Sequence, residues 1–424
     1  MTAPSTPSLA ELHKRAAAGE ARAQYQLAAQ LSVRGEKDKA DRLLKAAAEQ
    51  GFGDALYTLA TRRLDDSGMT DAAAMLERAA ENGSAPALRL LAVMRANGFG
   101  VDEDWSAAVA QILGAAKQNS PAAMREIAML LFAHDPDDAD GAALFALAAP
   151  KDPCAGAILV RRACNGRLHA DSQAASRLLD LLENAQYPNA SALAAALHTV
   201  PAAQTGNALA PDWDRVEAML SRQPEKLSHQ AESVCPSPSA RVYRKAFTLE
   251  ECEYIIASSA RLLAPSMIAD PQTRESRQDE YRSSLTAIMS IVDLDLPLTV
   301  FNRRLALLAG HSPEHAESLG VLLYAPGKEY RPHFDWLPDG PERARGGQRV
   351  TTALLYLNNE YEGGETHFLS PDIRFRGNPG DVLVFENTLE TGKPDPSTRH
   401  AGLPVKSGVK WLGSTWFREK KYIR

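Results

Sequence analysis

Two patterns of apolar and polar positions divide the chain. From residue 8 to about 220 the sequence is rich in Ala and Leu and poor in turn clusters, which predicts helices. From Leu319 the pattern becomes that of short strands. The runs are GVLLYA, EYRPHFDW, RVTTALLYLN, GETHFL, IRFR, DVLVFEN, RHAGLPV and VKWLGSTWFRE, with the turn signals APGK, EGGE, GNPGD and KSGV between them. About eight short strands in roughly 100 residues predict a sandwich, barrel or jelly roll, in which alternate residues of facing strands converge on a cavity.

The helical half repeats itself. AAAGEARAQYQLA (16–28), AAEQGFGDALYTLA (47–60), AAENGSAPALRLLA (79–92) and AAKQNSPAAMREIA (115–128) align, with Gly19, Gly51, Gly83 and Asn119 in step at separations of 32, 32 and 36 residues. Ala23, Ala55, Ala87 and Ala123 keep the same step. Gly or Asn supplies the left-handed residue that ends a helix. The small Ala that follows lets the next helix cross closely. Each helix–turn–helix unit leaves an apolar face that a neighbour must cover, so the expectation is an α-helical solenoid. The repeats are clear over 15–135 and degenerate after. A fifth copy is expected at 148–160 with Pro153 in its turn, followed by capping helices broken at Pro188, Pro201 and Pro211.

The Pro-, Ser- and charge-rich stretch 222–241 reads as a linker. The expected domains are therefore 8–221, helical repeats, and 242–424. In the second, FTLEECEYIIASSARLLAPS (247–266) reads as a helix opened by a capping box of Thr248 and Glu251, with Leu249, Cys252, Ile255, Ile256 and Leu262 buried. A polar loop at 270–284 and the GPERARGGQ turn (340–348) are expected to be lids. A second helix is expected from about Pro297 to Ala309, with His311 and His315 solvated at its end.

Composition narrows the function. The chain has 424 residues, a net charge of −6 and four cysteines, none of them in a CxxC pair. No global basic field argues for nucleic acid. Neither a disulfide scaffold nor a Cys-based zinc site is expected, and a reducing, cytoplasmic setting fits. The first residues carry no apolar h-region after a basic start, and no run of about 18 apolar residues predicts a membrane span.

The chemistry concentrates in LGVLLYAPGKEYRPHFDW (319–336). On a strand, His333 and Asp335 share one face and Phe334 looks the other way. An imidazole and a carboxylate on one face are two thirds of a facial site for non-haem Fe(II). His367 and His400 are the candidates for the third ligand. His400 has a companion: Lys410, ten residues on, in the next expected strand. A metal-binding His beside a buried Lys suits 2-oxoglutarate, which chelates iron at one end and needs a cation for its C5 carboxylate at the other. His367 has no such companion and points opposite to Thr366.

These motifs together resemble two known families. The AAxxG and A-x-x-L-A elements and the GFGVDEDWSAAV insertion (98–109) are similar to Sel1-like, tetratricopeptide-type repeats. YxxGxxYxPHFD (Tyr324–Asp335), QRVTTALLYLN, GGETHF, STRHAGLPVKSGVKW and YRSS (281–284) resemble the prolyl 4-hydroxylase group of Fe(II)/2-oxoglutarate dioxygenases, most strongly over 319–418. That resemblance implies a multidomain α and α+β protein whose C-terminal part is a double-stranded β-helix (jelly roll) with flanking helices. It assigns His333, Asp335 and His400 to iron and Lys410 to the C5 carboxylate of 2-oxoglutarate. Tyr324 and Thr366 become hydrogen-bond partners of that cosubstrate, and Arg349 and Trp416 substrate contacts. It further implies O2 as oxidant, ascorbate as reductant, and a protein or peptide substrate hydroxylated at proline with release of succinate and CO2. The repeats would dock that partner.

Three alternatives stand beside this one. The same chemistry acts on another residue, a free amino acid or a small metabolite; the repeats make the chain an interaction protein with a sensing oxygenase half; or, more remotely, a nucleic acid is demethylated. Ser283, Glu365 and His367 depart from the family pattern and bear on the substrate rather than the metal.

Overall fold

A computed structural model describes residues 8–64, 68–164, 172–184, 187, 190, 193–194, 210–222, 230–269, 276–278 and 281–422. Two compact units emerge. One comprises Met1–Ile127, Asp212–Gln223 and Leu294–Leu296; the other comprises Ala128–Pro211, Pro224–Asp293 and Pro297–Arg424.

The first unit is built from antiparallel helix pairs: Leu9–Ala17 with Ala21–Val33, Lys37–Glu49 with Gly53–Thr61, Met69–Glu81 with Ala85–Asn97, and Trp105–Lys117 leading into the first half of Pro121–His134. The turn residues adopt the left-handed conformation that the repeat requires. Gly19, Gly51, Gly83 and Asn119 have φ of 88°, 79°, 79° and 61°. The four in-step alanines, Ala23, Ala55, Ala87 and Ala123, are each 0% exposed, so the small side chain is the point of closest packing. Gly53 shows how close the helices come: a Cβ there would lie 2.8 Å from the Ala79 carbonyl oxygen.

Further helix pairs follow in the second unit. Pro153 is the first residue of the helix Pro153–Cys164 rather than a turn residue, and the Asp152 carboxylate accepts the Ala155 N–H at its start. The expected breaks at Pro188 and Pro201 lie outside the described residues.

The rest of the second unit is β-rich. Its early strands are β1 (Ala231–Cys235), β2 (Ala240–Tyr243), β3 (Ala264–Pro265), β4 (Met267–Ala269), β5 (Ser276–Gln278), β6 (Leu285–Ile288), β7 (Gly320–Tyr324) and β8 (Tyr330–His333). The later ones are β9 (Arg349–Tyr356), β10 (Tyr361–Gly363), β11 (Thr366–Leu369), β12 (Asp372–Phe375), β13 (Val382–Glu386), β14 (His400–Gly402), β15 (Val405–Gly408) and β16 (Lys410–Arg418). An eight-stranded antiparallel sheet has the order β1-β2-β13-β9-β16-β7-β6-β3, and a four-stranded one the order β12-β11-β14-β8. The core lies between them, with Leu322, Tyr324, Leu354, Tyr356, Phe385 and Leu412 from the large sheet meeting Phe368 and Phe375 from the small one. This is a double-stranded β-helix.

Three local expectations change. Residues 223–229 of the expected linker lie outside the described residues, but 231–243 form the hairpin β1–β2, because Cys235, Ala240 and Val242 turn into the core. The capping box of Thr248 and Glu251 forms as expected, yet the helix stops at Ser259, and Leu249 is exposed rather than buried. His311 is not solvated. It stacks on Phe417 with centroids 5.2 Å apart, and its Nε2 lies 2.7 Å from the Thr351 hydroxyl. Of the two expected lids, 270–275 and 279–280 lie outside the described residues, and 340–348 contains the one-turn helix Pro341–Ala344.

Candidate active site

Strand alternation selects which side chains face the space between the sheets. In β7 these are Leu322 and Tyr324; in β16 they are Lys410, Leu412, Ser414 and Trp416. In the small sheet β14 supplies His400 and β8 supplies His333; Tyr330, three residues before His333, joins the same side because the register shifts between β8 and β14. His333 and His400 are direct register partners across β8 and β14, and their rings are 4.3 Å apart. On the facing sheet, Tyr324 and Lys410 are register partners across β7 and β16.

Asp335 lies two residues past His333, beyond the end of β8, and is buried beside both imidazoles. Its Oδ1 is 3.5 Å from His333 Nε2 and its Oδ2 is 3.8 Å from His400 Nε2. One ligand atom from each of the three residues lies within 4.8 Å of the others, the only such group among the described residues. The imidazole tautomers follow from their other nitrogens. His333 Nδ1 is 2.8 Å from the Arg331 carbonyl oxygen, and His400 Nδ1 is 2.9 Å from that of Thr398. A carbonyl oxygen only accepts, so each Nδ1 carries the proton and each Nε2 lone pair faces the carboxylate.

The electrostatics suit a divalent cation. Burial alone would push the Asp335 carboxyl up, but His400, His333 and the Thr352 hydroxyl outweigh it and hold it well below the usual range. Burial, with His333 adding to it, pushes His400 down to about 4, which keeps the ring neutral at physiological pH. Two imidazoles and one carboxylate on one face are a donor set for non-haem Fe(II).

The other wall holds Lys410, which is 2% exposed. Burial pushes its ammonium down to about 8, opposed by the carboxylate of Glu365. Nζ donates to the Gly364 carbonyl oxygen at 2.7 Å and lies 5.5 Å and 5.7 Å from the Tyr324 and Tyr356 rings. An ammonium has three N–H donors, and a single carbonyl leaves room for an anion. Thr366 Oγ1 is hydrogen bonded to Tyr356 OH at 2.7 Å and also lines the cavity. Leu322, Leu354 and Leu412 form its apolar floor.

Trp416 lines the cavity, and its indole Nε1 is buried without a hydrogen-bond partner. The Arg349 guanidinium lies 3.8 Å from the Trp416 ring and forks onto Glu317 at 2.6 Å and 2.8 Å. The two candidates for the third ligand separate cleanly. His367 alternates with Thr366 and Phe368, so it faces outward and bonds Asp372 at 2.5 Å. Sequence reasoning gave no role to Tyr330 or Arg282. Tyr330 stacks on His333 with centroids 3.5 Å apart, and the Arg282 guanidinium lies 5.0 Å from the Tyr330 ring. The YxPH spacing was the available sign for Tyr330. Nothing in the sequence marked Thr352, whose hydroxyl reaches Asp335.

Parts of the chain are similar to known proteins. The 2OG-Fe(II) oxygenase superfamily matches residues 319–418. Prolyl 4-hydroxylase 1 of Arabidopsis thaliana is 32% identical over 203 residues, covering 45% of this chain and 72% of that protein. Among solved structures, the viral collagen prolyl hydroxylase of Paramecium bursaria Chlorella virus-1 is 24% identical, with a TM-score of 0.34, covering 44% of this chain and 99% of that one. A Sel1 repeat protein from Oxalobacter formigenes is 22% identical, with a TM-score of 0.33, covering 42% and 78%.

Proposed function

Because the chain belongs to the prolyl 4-hydroxylase family of 2OG-Fe(II) oxygenases, we propose that it hydroxylates prolyl residues of a protein or peptide. It is a 2-oxoglutarate-dependent dioxygenase, with Fe(II) as cofactor and 2-oxoglutarate and O2 as co-reactants. The observation that carries the reading is the pairing of the His333–Asp335–His400 cluster with the buried Lys410 ammonium around one cavity.

When bound, Fe(II) with 2-oxoglutarate and O2 supplies the oxidant that replaces one hydrogen of a C–H bond by hydroxyl, and the cosubstrate leaves as succinate and CO2. The protein supplies placement and dryness. His333, Asp335 and His400 would hold the metal. The Nδ1–H groups of His333 and His400 donate to the Arg331 and Thr398 carbonyl oxygens, so both Nε2 lone pairs remain available. Lys410 takes the C5 carboxylate, with Tyr324 and Thr366 as further hydrogen-bond partners. Leu322, Leu354 and Leu412 keep water from the cosubstrate. Trp416 and Arg349 border the place where the substrate enters.

Ascorbate as reductant, a cytoplasmic setting and docking of the protein substrate on the helical repeats belong to the same proposal. Stacked repeats offer an extended surface to a partner. No helix among the described residues is long and apolar enough to cross a membrane.

The test is turnover of 2-oxoglutarate by the full chain with Fe(II) and proline-containing peptides, read by succinate release and by mass spectrometry. The expected result is succinate formation stimulated by such a peptide, together with a gain of one oxygen atom on proline. Stimulation by a free amino acid or metabolite and by no peptide overturns the substrate; absence of any succinate overturns the reaction.

A further inference from the structure

Asp335 is held by a chain of hydrogen bonds that begins outside the ligand set. Asn387 Nδ2 donates to Thr352 Oγ1 at 2.8 Å, and Thr352 Oγ1 donates to Asp335 Oδ2 at 2.7 Å. All three side chains are buried: Asn387 and Thr352 are 0% exposed and Asp335 is 5% exposed.

The direction of this chain is fixed by chemistry. An ionised carboxylate only accepts, and a hydroxyl has one proton. Thr352 must therefore spend its proton on Asp335, and its oxygen is then free to accept from a donor on the other side. The Asn387 amide N–H supplies that donor. Turned over, the amide would present its oxygen to Thr352 and compete with Asp335 for the single proton. The Asn387 side-chain oxygen, Oδ1, is accordingly left buried without a hydrogen-bond partner, an orientation with an unmet acceptor. The backbone pins the residue in place. Asn387 N donates to the Val350 carbonyl oxygen at 2.7 Å, and the Asn387 carbonyl accepts from Asp395 N at 3.0 Å.

The strands make the arrangement reproducible. In β9, Thr351 faces the outside of the sheet and Thr352 the inside. In the register of β13 against β9, Glu386 is paired with Thr351 and Phe385 with Thr352. Glu386 accepts from Thr351 on the outer face, while Asn387, the next residue, serves Thr352 on the inner face.

We infer that Asn387 is a positioning residue for the metal centre: acting through Thr352, its amide sets the direction of the hydrogen bond that orients the Asp335 carboxylate toward the two imidazoles. This rests on the reading of His333, Asp335 and His400 as the metal triad. Partners of this kind orient metal ligands, and losing one lowers metal affinity by about 10- to 100-fold.

The test uses Co(II) as the probe, titrated into the full chain and followed by its visible absorption, with thermal melting recorded alongside. Asn387→Ala and Thr352→Val are each expected to weaken Co(II) binding by about tenfold. The double variant is expected to match Thr352→Val alone, because Asn387 acts only through the hydroxyl. Thr352→Ser keeps the hydroxyl and is expected to bind Co(II) as the parent does. Should Asn387→Ala fail to fold, Thr352→Val against Thr352→Ser still decides: equal Co(II) affinity in those two overturns the inference. Parent-like affinity in a folded Asn387→Ala overturns it as well, as do independent, additive losses in the double variant. Asp335→Ala separates the two levels. Parent-like Co(II) binding there sinks the triad itself, whereas loss of binding in Asp335→Ala with none in Asn387→Ala sinks only the relay.

Discussion

Replacing Lys410 by methionine sets stability against cosubstrate binding, and the expected signs are opposite. The side chain is buried, and its ammonium titrates at about 8 instead of 10.5. Holding the charge at neutral pH therefore costs about 3 kcal/mol. Methionine removes that cost but leaves the Gly364 carbonyl oxygen without its donor, a loss of about 1–3 kcal/mol. The expected net change in the ligand-free protein is a gain of about 1 kcal/mol, seen as a melting temperature a few degrees higher, at about 2–4 °C per kcal/mol.

Binding of 2-oxoglutarate moves the other way. Removing one partner of a buried, hydrogen-bonded charge pair costs about 2–5 kcal/mol, which is roughly 30-fold or more in affinity. Calorimetric titration of 2-oxoglutarate into the Mn(II)-loaded chain measures the second effect, and thermal or urea melts measure the first.

The pH dependence supplies a check. The folded pKa of Lys410 is depressed, so its full penalty is present below about pH 8 and is relieved as pH rises from there toward 10.5. The stability advantage of Lys410→Met should be present at neutral pH and shrink above about pH 8. Over the same interval the parent's affinity for 2-oxoglutarate should fall, since the neutral amine no longer attracts the carboxylate. A variant that melts well below the parent, or one that binds 2-oxoglutarate within about threefold of it, refutes the reasoning, because either outcome means that the buried charge is not reserved for the cosubstrate.

His333→Ala and Asp335→Ala are each expected to abolish succinate formation while leaving the melting profile close to the parent's, and a chelator should do the same reversibly to the parent; retained turnover in either variant contradicts the assignment. Gly380 has φ of +86°, and a Cβ there would lie 2.0 Å from the Phe247 carbonyl oxygen. Gly380→Ala should therefore lower stability by about 1–3 kcal/mol or more in urea melts, and a neutral effect would mean that the turn is free to move. Thr248→Ala removes the side chain that accepts the Glu251 N–H and should cost about 1 kcal/mol, without changing the KM for 2-oxoglutarate.

The repeat was legible because its requirements are backbone requirements. Gly or Asn at 19, 51, 83 and 119 and alanine four positions later leave few alternatives to a tight helical turn followed by a close crossing. The His333, Asp335, His400 and Lys410 cluster was legible for a related reason: facing strands carry side chains into one cavity, and the ten-residue step from His400 to Lys410 takes the chain past β15 from the small sheet to the large one. What stayed hidden depends on pairing between distant strands. Asn387 reads only as the polar end of an expected strand until β13 is registered on β9. Likewise, 231–241 reads as linker because its Pro and Ser content hides the strand positions of Cys235 and Ala240, which turn into the core. His311 looked like a helix-end histidine because Phe417 and Thr351, which bury it, are supplied from elsewhere in the chain.

The place of β16 has a consequence for how the protein is made. It is the last strand of the large sheet in sequence, yet it lies in the interior of that sheet, between β9 and β7. During synthesis β7 and β9 leave the ribosome first, each with a row of unpaired backbone groups where β16 belongs. Such open edges invite pairing with other chains. The helical repeats, whose contacts are local, are free to fold well before that. The large sheet is complete only once β16 is in place between β9 and β7, and the same strand delivers Lys410. A nascent chain that has not yet closed its sheet therefore also lacks the lysine of the cosubstrate wall.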